Sequence, residues 1–329
     1  MKKLKISVVG VGHLGSIHAR LWANNPLVEL VGVRDIIPER ANNIAQEYGC
    51  QAFDSLEETI EKSEATTIAV PTSIHYEITK EFILQGKHCF IEKPITNTYQ
   101  EAVDLINLAK LYNVRIQVGH VERFNPVIKA IDVYKIEPKF IEAHRLGQFK
   151  PRARDVSVIH DLMIHDIDLI LWLAKSKPKN IDASGVAVLS DTIDIANARI
   201  KFENGLTANI TSSRISAHPI RKMRIFQKDS YISLDFNEHT VEVYKIYDDG
   251  EPSTYGVPAK MLGSIEIATK NRNIFYEVPV IKKINAIEEE QIAFAKSIIN
   301  NEPIAVGAEE AANALFVAEE ILNKINYEL

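Results

Sequence analysis

The sequence predicts a two-domain α/β protein: a doubly wound parallel sheet over residues 1–122, then an α+β domain over 123–329 built on a large open, mostly antiparallel sheet. Three observations predict it. The length of 329 residues suits two domains of roughly 100–200 residues each. Through the first 120 residues, short β-branched runs alternate with longer helical patterns, the texture of a parallel sheet covered by helices. After about residue 125, strand-like runs succeed one another with few helices between them, as in an antiparallel sheet.

Taken in order, LKISVV (4–9), VELVGVR (28–34), TTIAV (66–70), HCFIE (88–92) and RIQVG (115–119) are apolar on both faces, as buried parallel strands are. Helical patterns lie near 14–24, 38–48, 74–85 and 98–112. Pro38 suits a first helical turn, and Gly49 and Gly86 stand where helices stop. In the second half, 139–147, 181–188, 193–202, 206–213, 220–227, 230–236 and 239–247 read as strands, with turn signals at Glu203-Asn204-Gly205 and Asp248-Asp249-Gly250. A strong helix is predicted near 159–175 and two more near 284–299 and 308–326.

Composition narrows the function. Apolar residues are 46% and charged residues 25%, which is ordinary globular usage and excludes wholesale disorder. The net charge of −6 gives no general attraction for nucleic acid or an anionic membrane. No apolar run approaches the ~20 residues that span a bilayer. The start, MKKLKISVVG, is basic then apolar, but its apolar part is short and runs into glycines, so it reads as a strand rather than a signal peptide. Two cysteines, Cys50 and Cys89, make no disulfide framework and suit a reducing cytoplasm. No metal site is expected.

Gly10-Val11-Gly12-His13-Leu14-Gly15 follows the first strand and opens a helix. There Gly10 allows a tight turn, Gly12 lets a pyrophosphate approach the backbone, and Gly15 permits close helix–strand packing. The helix N-terminus offers N–H groups to the phosphates. The alternative is a structural glycine turn. Asp35 lies 20 residues after Gly15, at the end of the second strand. A carboxylate there bonds ribose hydroxyls and repels a 2′-phosphate. Together these predict a Rossmann domain that binds NAD; Arg34, which can accept a 2′-phosphate, keeps NADP as the alternative. Pro71-Thr72-Ser73 ends another strand, at the nicotinamide side of the expected crevice.

Glu92-Lys93-Pro94 ends a further strand of the same sheet, which places Lys93 toward that crevice. A lysine beside a hydroxyl and a nicotinamide can polarise the reacting oxygen; a strand-end lysine is otherwise solvated surface. A cis Lys93–Pro94 bond is a further expectation. On the helix 159–175, a step of 100° per residue puts Asp161, His165 and Asp168 within about 60° of one another, with Asp166 pointing away. The neighbours are apolar. Asp161 can then orient the His165 imidazole and raise its basicity. The alternative is a satisfied buried network or a capping aspartate.

The ordered set of motifs resembles the glucose–fructose oxidoreductase and inositol dehydrogenase (Gfo/Idh/MocA) family over nearly the whole chain. It comprises Gly10–Gly15 with His18 following, Asp35, Pro71-Thr72-Ser73-Ile74-His75, Glu92-Lys93-Pro94, and Asp161-Leu-Met-Ile-His165-Asp-Ile-Asp168. The resemblance implies a Rossmann domain, an α+β domain whose open sheet joins subunits, and sugar or cyclitol substrates. It implies catalytic Lys93, Asp161 and His165. It also implies cofactor contacts from Gly10, Gly12, His13, Leu14, Gly15, Asp35, Pro71, Thr72, His75, Glu92 and Lys93. Gly119-His120-Val121-Glu122-Arg123-Phe124-Asn125-Pro126 and His144–Arg152 resemble the branch that contains UDP-N-acetylglucosamine 3-dehydrogenases, although Gln148 stands where that branch often has proline.

Arg123, Arg145, Arg152 and Arg154 are numerous for an acidic chain, and some can bind a diphosphate through paired contacts. Arg123, Arg152 and Asp168 are the candidate substrate contacts; salt bridges to Glu122, Glu142 and Asp155 are the competing use of the arginines. The expected reaction is reversible oxidation of a secondary alcohol on a sugar, C3 of a UDP-linked N-acetylamino sugar. Rivals are a cyclitol dehydrogenase, an NAD-dependent glycosidase on the same fold, and a non-catalytic nucleotide sensor. The last has no use for Lys93, Asp161 and His165. Alternating strands such as Ala196–Ile200 and Leu206–Ile210 are candidates to pair faces in a homodimer or homotetramer.

Overall fold

A computed structural model describes residues 3–149, 156–251, 256–267 and 270–327. The chain divides into two compact units: Met1–Val121 with Asn285–Phe316, and Glu122–Ile284 with Val317–Leu329. The single division at 122/123 expected from sequence is therefore joined by a second crossing after Ile284 and a third after Phe316, because a late segment returns to the first unit.

The first unit runs β1 (Leu4–Val9), α1 (His13–Ala23), β2 (Val28–Arg34), α2 (Pro38–Tyr48), β3 (Gln51–Ala52), α3 (Leu56–Lys62), β4 (Ala65–Ile68), α4 (His75–Leu84), β5 (His88–Glu92), α5 (Tyr99–Leu111) and β6 (Ile116–Gly119). All six strands are parallel, in the order β3-β2-β1-β4-β5-β6. The order reverses direction at β1 and β4, which opens a crevice at the carboxyl ends of the strands. Local signals agree with the elements. Pro38 starts α2, and Gly49 closes it in the left-handed conformation. Thr98 and Glu101 form a reciprocal capping box on α5.

Both faces of this sheet are covered. Leu4, Ile6, Val8 and Val33 pack with Trp22 of α1 and with Phe294 and Ala295. Val9, Ile68, Ile91 and Val118 pack with Phe82, Ile83 and Leu105, and with Ala308, Ala311, Ala312 and Leu315. The late residues in these cores explain the second crossing. They belong to two C-terminal helices, over 286–299 and 308–327, whose apolar faces finish the two sides of the first sheet.

The second unit begins with a short helix, α6 (Pro126–Lys129), and β7 (Phe140–Leu146). A π-helical turn (Ile159–Met163) leads into α7 (Ile164–Ala174), and β8 (Pro178–Val186), β9 (Ile195–Phe202), β10 (Thr207–Ser213), β11 (Ile220–Gln227), β12 (Ser230–Asp235), β13 (Thr240–Asp248), β14 (Ala259–Ile267) and β15 (Lys270–Glu277) follow. The helices α8 (Ala286–Ile299) and α9 (Ala308–Tyr327) end the chain; α9 passes from the first unit to the second after Phe316. Nine strands form one sheet, ordered β14-β15-β13-β12-β11-β7-β10-β9-β8. Only β7 and β10 pair in parallel. α7 packs on β7 and β10, against a face that buries Ile141, Ala143, Ile200, Ala208, Ile210, Ile225 and Ile232.

Five elements, β3, α3, α6, β14 and β15, have no counterpart in the sequence reading. β3 has two residues and α3 seven. β14 and β15 escape the pattern for different reasons: AKMLGSIEI carries a register irregularity between Met261 and Gly263, and KNRNIFYE puts polar residues on both faces. The remaining strands and helices start and stop within a few residues of their expected positions.

Candidate active site

The glycine turn between β1 and α1 has the shape a dinucleotide needs. Gly10 has φ +84°, and a Cβ there would meet the Ala69 carbonyl and Val70 at 2.8 Å. A Cβ on Gly15 would stand 1.7 Å from the Gly10 carbonyl oxygen. These two positions bring the helix against the strands. Gly12 differs, since a Cβ there would meet no protein atom within 4 Å. It would occupy the open approach to the helix end. The first turn of α1 has no side-chain cap and no acidic residue, so its N–H groups face an incoming anion. His13 and Leu14 are exposed beside it. This cradle fits a pyrophosphate.

Asp35 follows β2 as expected, and it also braces the turn. One carboxylate oxygen accepts the Val11 N–H at 2.8 Å, and the other accepts the Ile37 N–H at 2.9 Å. A carboxylate has about four acceptor sites, so capacity for ribose hydroxyls remains. Ile36, next to it, is 82% exposed.

At the end of β5, Glu92 faces inward. It takes a 2.6 Å hydrogen bond from His18 Nε2, while the Gln291 amide nitrogen lies 2.9 Å from His18 Nδ1. Gly119, paired with Glu92 across β5 and β6, makes room: a Cβ there would lie 3.0 Å from the carboxylate. Burial works to raise the Glu92 pKa, but the His18 bond and charge, together with Lys93, outweigh it and hold the carboxyl below its ordinary value. Lys93 lies just past the strand, half-buried, and its peptide bond to Pro94 is cis. Pro71 is exposed and Thr72 half-buried in the turn after β4.

His75 departs from its expected place. It is 1% exposed, with Nδ1 2.9 Å from the Pro94 carbonyl and Nε2 2.9 Å from the Val70 carbonyl. A neutral imidazole carries one N–H, so the ring donates to one of these carbonyls and faces the other, and with both nitrogens against backbone neither is turned to a cofactor. Burial pulls its pKa below the ordinary value, against the opposing pull of those carbonyls and Glu92.

In the second unit, Asp161 and His165 are both half-buried, but on different geometries. Asp161 sits in the π-helical turn and His165 in the first turn of α7. A π turn closes over more residues than an α turn, so the uniform 100° step fails between them. Such turns concentrate at functional sites.

The two other aspartates of the motif take structural places. Asp168 is 1% exposed and receives Arg123 through both oxygens, Nε at 2.9 Å and Nη2 at 2.6 Å. The expected substrate contacts Arg123 and Asp168 therefore spend their charges on each other. Asp166 is buried as well, bonded twice by Arg145 at 2.9 Å. Arg145 also reaches Glu122 at 3.2 Å, and Glu122 takes Arg221 and Asn125. Salt-bridging to Glu122 was the competing use of the arginines, but the two aspartates are unforeseen partners. The carboxylates hold Arg145 well above its ordinary pKa against the opposing effect of burial. Arg152 lies outside the described residues, as does Arg154. Among the described residues no cluster of three or more His, Cys, Asp or Glu could hold a metal ion, and no helix is long and apolar enough to cross a membrane.

Sequence comparison completes the assignment of the fold. The profile of an oxidoreductase family with an NAD-binding Rossmann fold matches residues 4–120. The Gfo/Idh/MocA C-terminal domain profile matches residues 137–232. The chain is 38% identical over 272 residues to UDP-N-acetylglucosamine 3-dehydrogenase of Acidithiobacillus ferrooxidans, covering 82% of this chain and 85% of that one. It is 28% identical over 241 residues to scyllo-inositol 2-dehydrogenase (NAD(+)) of Bacillus subtilis, covering 67% and 70%. A solved structure of the Acidithiobacillus ferrooxidans enzyme superposes with a TM-score of 0.88 over 99% of each chain at 34% identity. With the glycine cradle, Asp35 and the strand order already in place, these likenesses settle the family: the chain belongs to the Gfo/Idh/MocA oxidoreductases, with an NAD-binding Rossmann domain.

Proposed function

We propose that this oxidoreductase interconverts a secondary alcohol and a ketone at C3 of a UDP-linked N-acetylamino sugar, with NAD as the redox partner. The observation that carries the reading is the cradle around Gly12 on the same sheet whose strands β4 and β5 lead into Pro71 and Lys93. The relative named for UDP-N-acetylglucosamine supports the substrate class. Bound nicotinamide supplies the hydride-accepting ring. In this proposal Gly10, Gly12, His13, Leu14, Gly15, Asp35, Pro71, Thr72 and Glu92 shape the cofactor's surroundings, Glu92 by holding His18 and the Lys93 backbone. Lys93 donates to the substrate oxygen and stabilises the developing alkoxide. His165, oriented by Asp161, takes the hydroxyl proton. Arg152 is retained as a diphosphate contact; Arg123 and Asp168 fix α7 instead.

We further propose a homodimer or homotetramer joined through the second sheet, working in the cytoplasm, where the free thiols Cys50 and Cys89 stay reduced. The test is incubation with NAD and either UDP-N-acetylglucosamine or a free inositol, read at the reduced-nicotinamide band. Reduced cofactor and a 3-keto product with the UDP-sugar are expected. Turnover of inositol alone would make it a cyclitol dehydrogenase, and release of free sugar without net reduction a glycosidase. Parental rates in both Lys93→Ala and His165→Ala would overturn the assigned roles.

A further inference from the structure

We propose that His75 is a positioning residue that ties the turn after β4 to the Lys93–Pro94 segment and so sets where the Lys93 ammonium stands. The inference rests on the reading of Lys93 as the group that meets the substrate oxygen. His75 is the first residue of α4, and its ring is almost fully enclosed. One nitrogen addresses the carbonyl of Val70 and the other that of Pro94, each at 2.9 Å. Both carbonyls lie outside helices and strands, in the two turns that carry the expected nicotinamide and substrate contacts. The ring is a rigid spacer between them. Fixing the carbonyl that follows Lys93 removes backbone freedom where the lysine emerges. A helix held by its own core brings the spacer: Thr79, Phe82 and Ile83 of α4 are buried.

Positioning of this kind matters to rate more than to binding, because a misplacement of about 1 Å can cost roughly 100-fold in a chemical step. His75→Phe keeps an aromatic ring in the space and removes the N–H donor. His75→Gln keeps an N–H donor with a different reach, and serves if the first variant fails to fold. The expected outcome with UDP-N-acetylglucosamine and NAD is a kcat lowered about 10- to 100-fold, with the calorimetric Kd for NAD changed less than about threefold.

The decisive arm is a double-mutant cycle with Lys93→Met. If His75 acts through Lys93, His75→Phe costs less than about twofold in residual kcat once Lys93 is gone. An unchanged kcat in His75→Phe, an equal cost with and without Lys93, or a loss confined to NAD affinity would each overturn the inference. A fully active Lys93→Met enzyme would instead overturn the reading of Lys93 itself, and the two failures are thereby told apart.

Discussion

At Gly12 and Gly15 the same added methyl group has opposite consequences. On Gly15 it would collide with the Gly10 carbonyl, which is backbone and cannot swing aside. On Gly12 it meets only open space, at a φ of −66° that any residue adopts. Gly12→Val is therefore expected to melt within about 2 °C of the parent, in line with a surface change, while the calorimetric Kd for NAD rises by at least about tenfold, or about 1.4 kcal/mol. Gly15→Ala is expected to lower the melting temperature itself. Unaltered NAD affinity in Gly12→Val would show that the cradle does not hold the cofactor.

Glu92 yields a pH prediction at the same scale. Its carboxyl is held below the ordinary value in the folded chain. An acid with a depressed folded pKa stabilises the fold above its unfolded value, about 4.3 for glutamate, and loses that contribution as pH falls through the folded value. The stability gap between the parent and Glu92→Gln should be constant near neutrality and close as pH drops below about 4. Urea unfolding at a series of pH values measures it, and a gap that widens toward acid would contradict the assignment.

At the scale of one element, α7 shows why charged residues lie on an apolar helix. Asp166 and Asp168 are held through both oxygens by Arg145 from β7 and by Arg123. These bridges flank His165 and fix the rotation of the helix that carries it. Removing one partner strands a buried charge, at a cost of about 3–5 kcal/mol. Arg145→Met should lose stability on that scale in denaturant unfolding. Arg145→Met with Asp166→Leu should recover most of it, since a well-packed apolar pair often equals a buried bridge.

Much of this element was legible in the sequence. The apolar run predicts a helix, and the Asp161–Asp168 pattern marks it as special. The π turn at Ile159–Met163 was not legible, because a helical period cannot report a change in its own step. Partners far along the chain were equally hidden. Gln291 stands behind His18 from 273 residues away, and Asp168 meets Arg123 across 45. The glycine turn and the strand-end positions of Asp35 and Lys93 were readable because their spacing to a strand end is local. His75 was placed in the right turn but given the wrong neighbour, since a motif cannot say which way a ring faces.

At the scale of the whole molecule the proposed assembly turns on the outer face of the second sheet. The strands first expected to pair subunits bury their apolar residues inward: Ala196, Ala198, Ile200, Ala208 and Ile210 face the core, and Asn197, Arg199 and Asn209 face out. A different stripe is available. Phe140, Phe226, Tyr231, Tyr244 and Tyr276 are directly paired across β7, β11, β12, β13 and β15. Successive ring centroids are 6.0, 4.9, 5.7 and 5.1 Å apart, and each ring is half-exposed. A continuous row of partly wet aromatics is the composition of an interface centre. Under two-fold symmetry each ring counts twice. Tyr231→Glu adds a charge at the middle of the row. With about 2 kcal/mol lost per side, the dimer constant should weaken by roughly 1,000-fold. Light scattering at micromolar concentration should then report monomer for Tyr231→Glu and dimer or tetramer for the parent. The Arg199→Glu change, on β9 in the polar part of the same face, should leave the mass of the parent. A parent that scatters as monomer would remove the interface, and an unchanged mass in Tyr231→Glu would move it elsewhere on the chain.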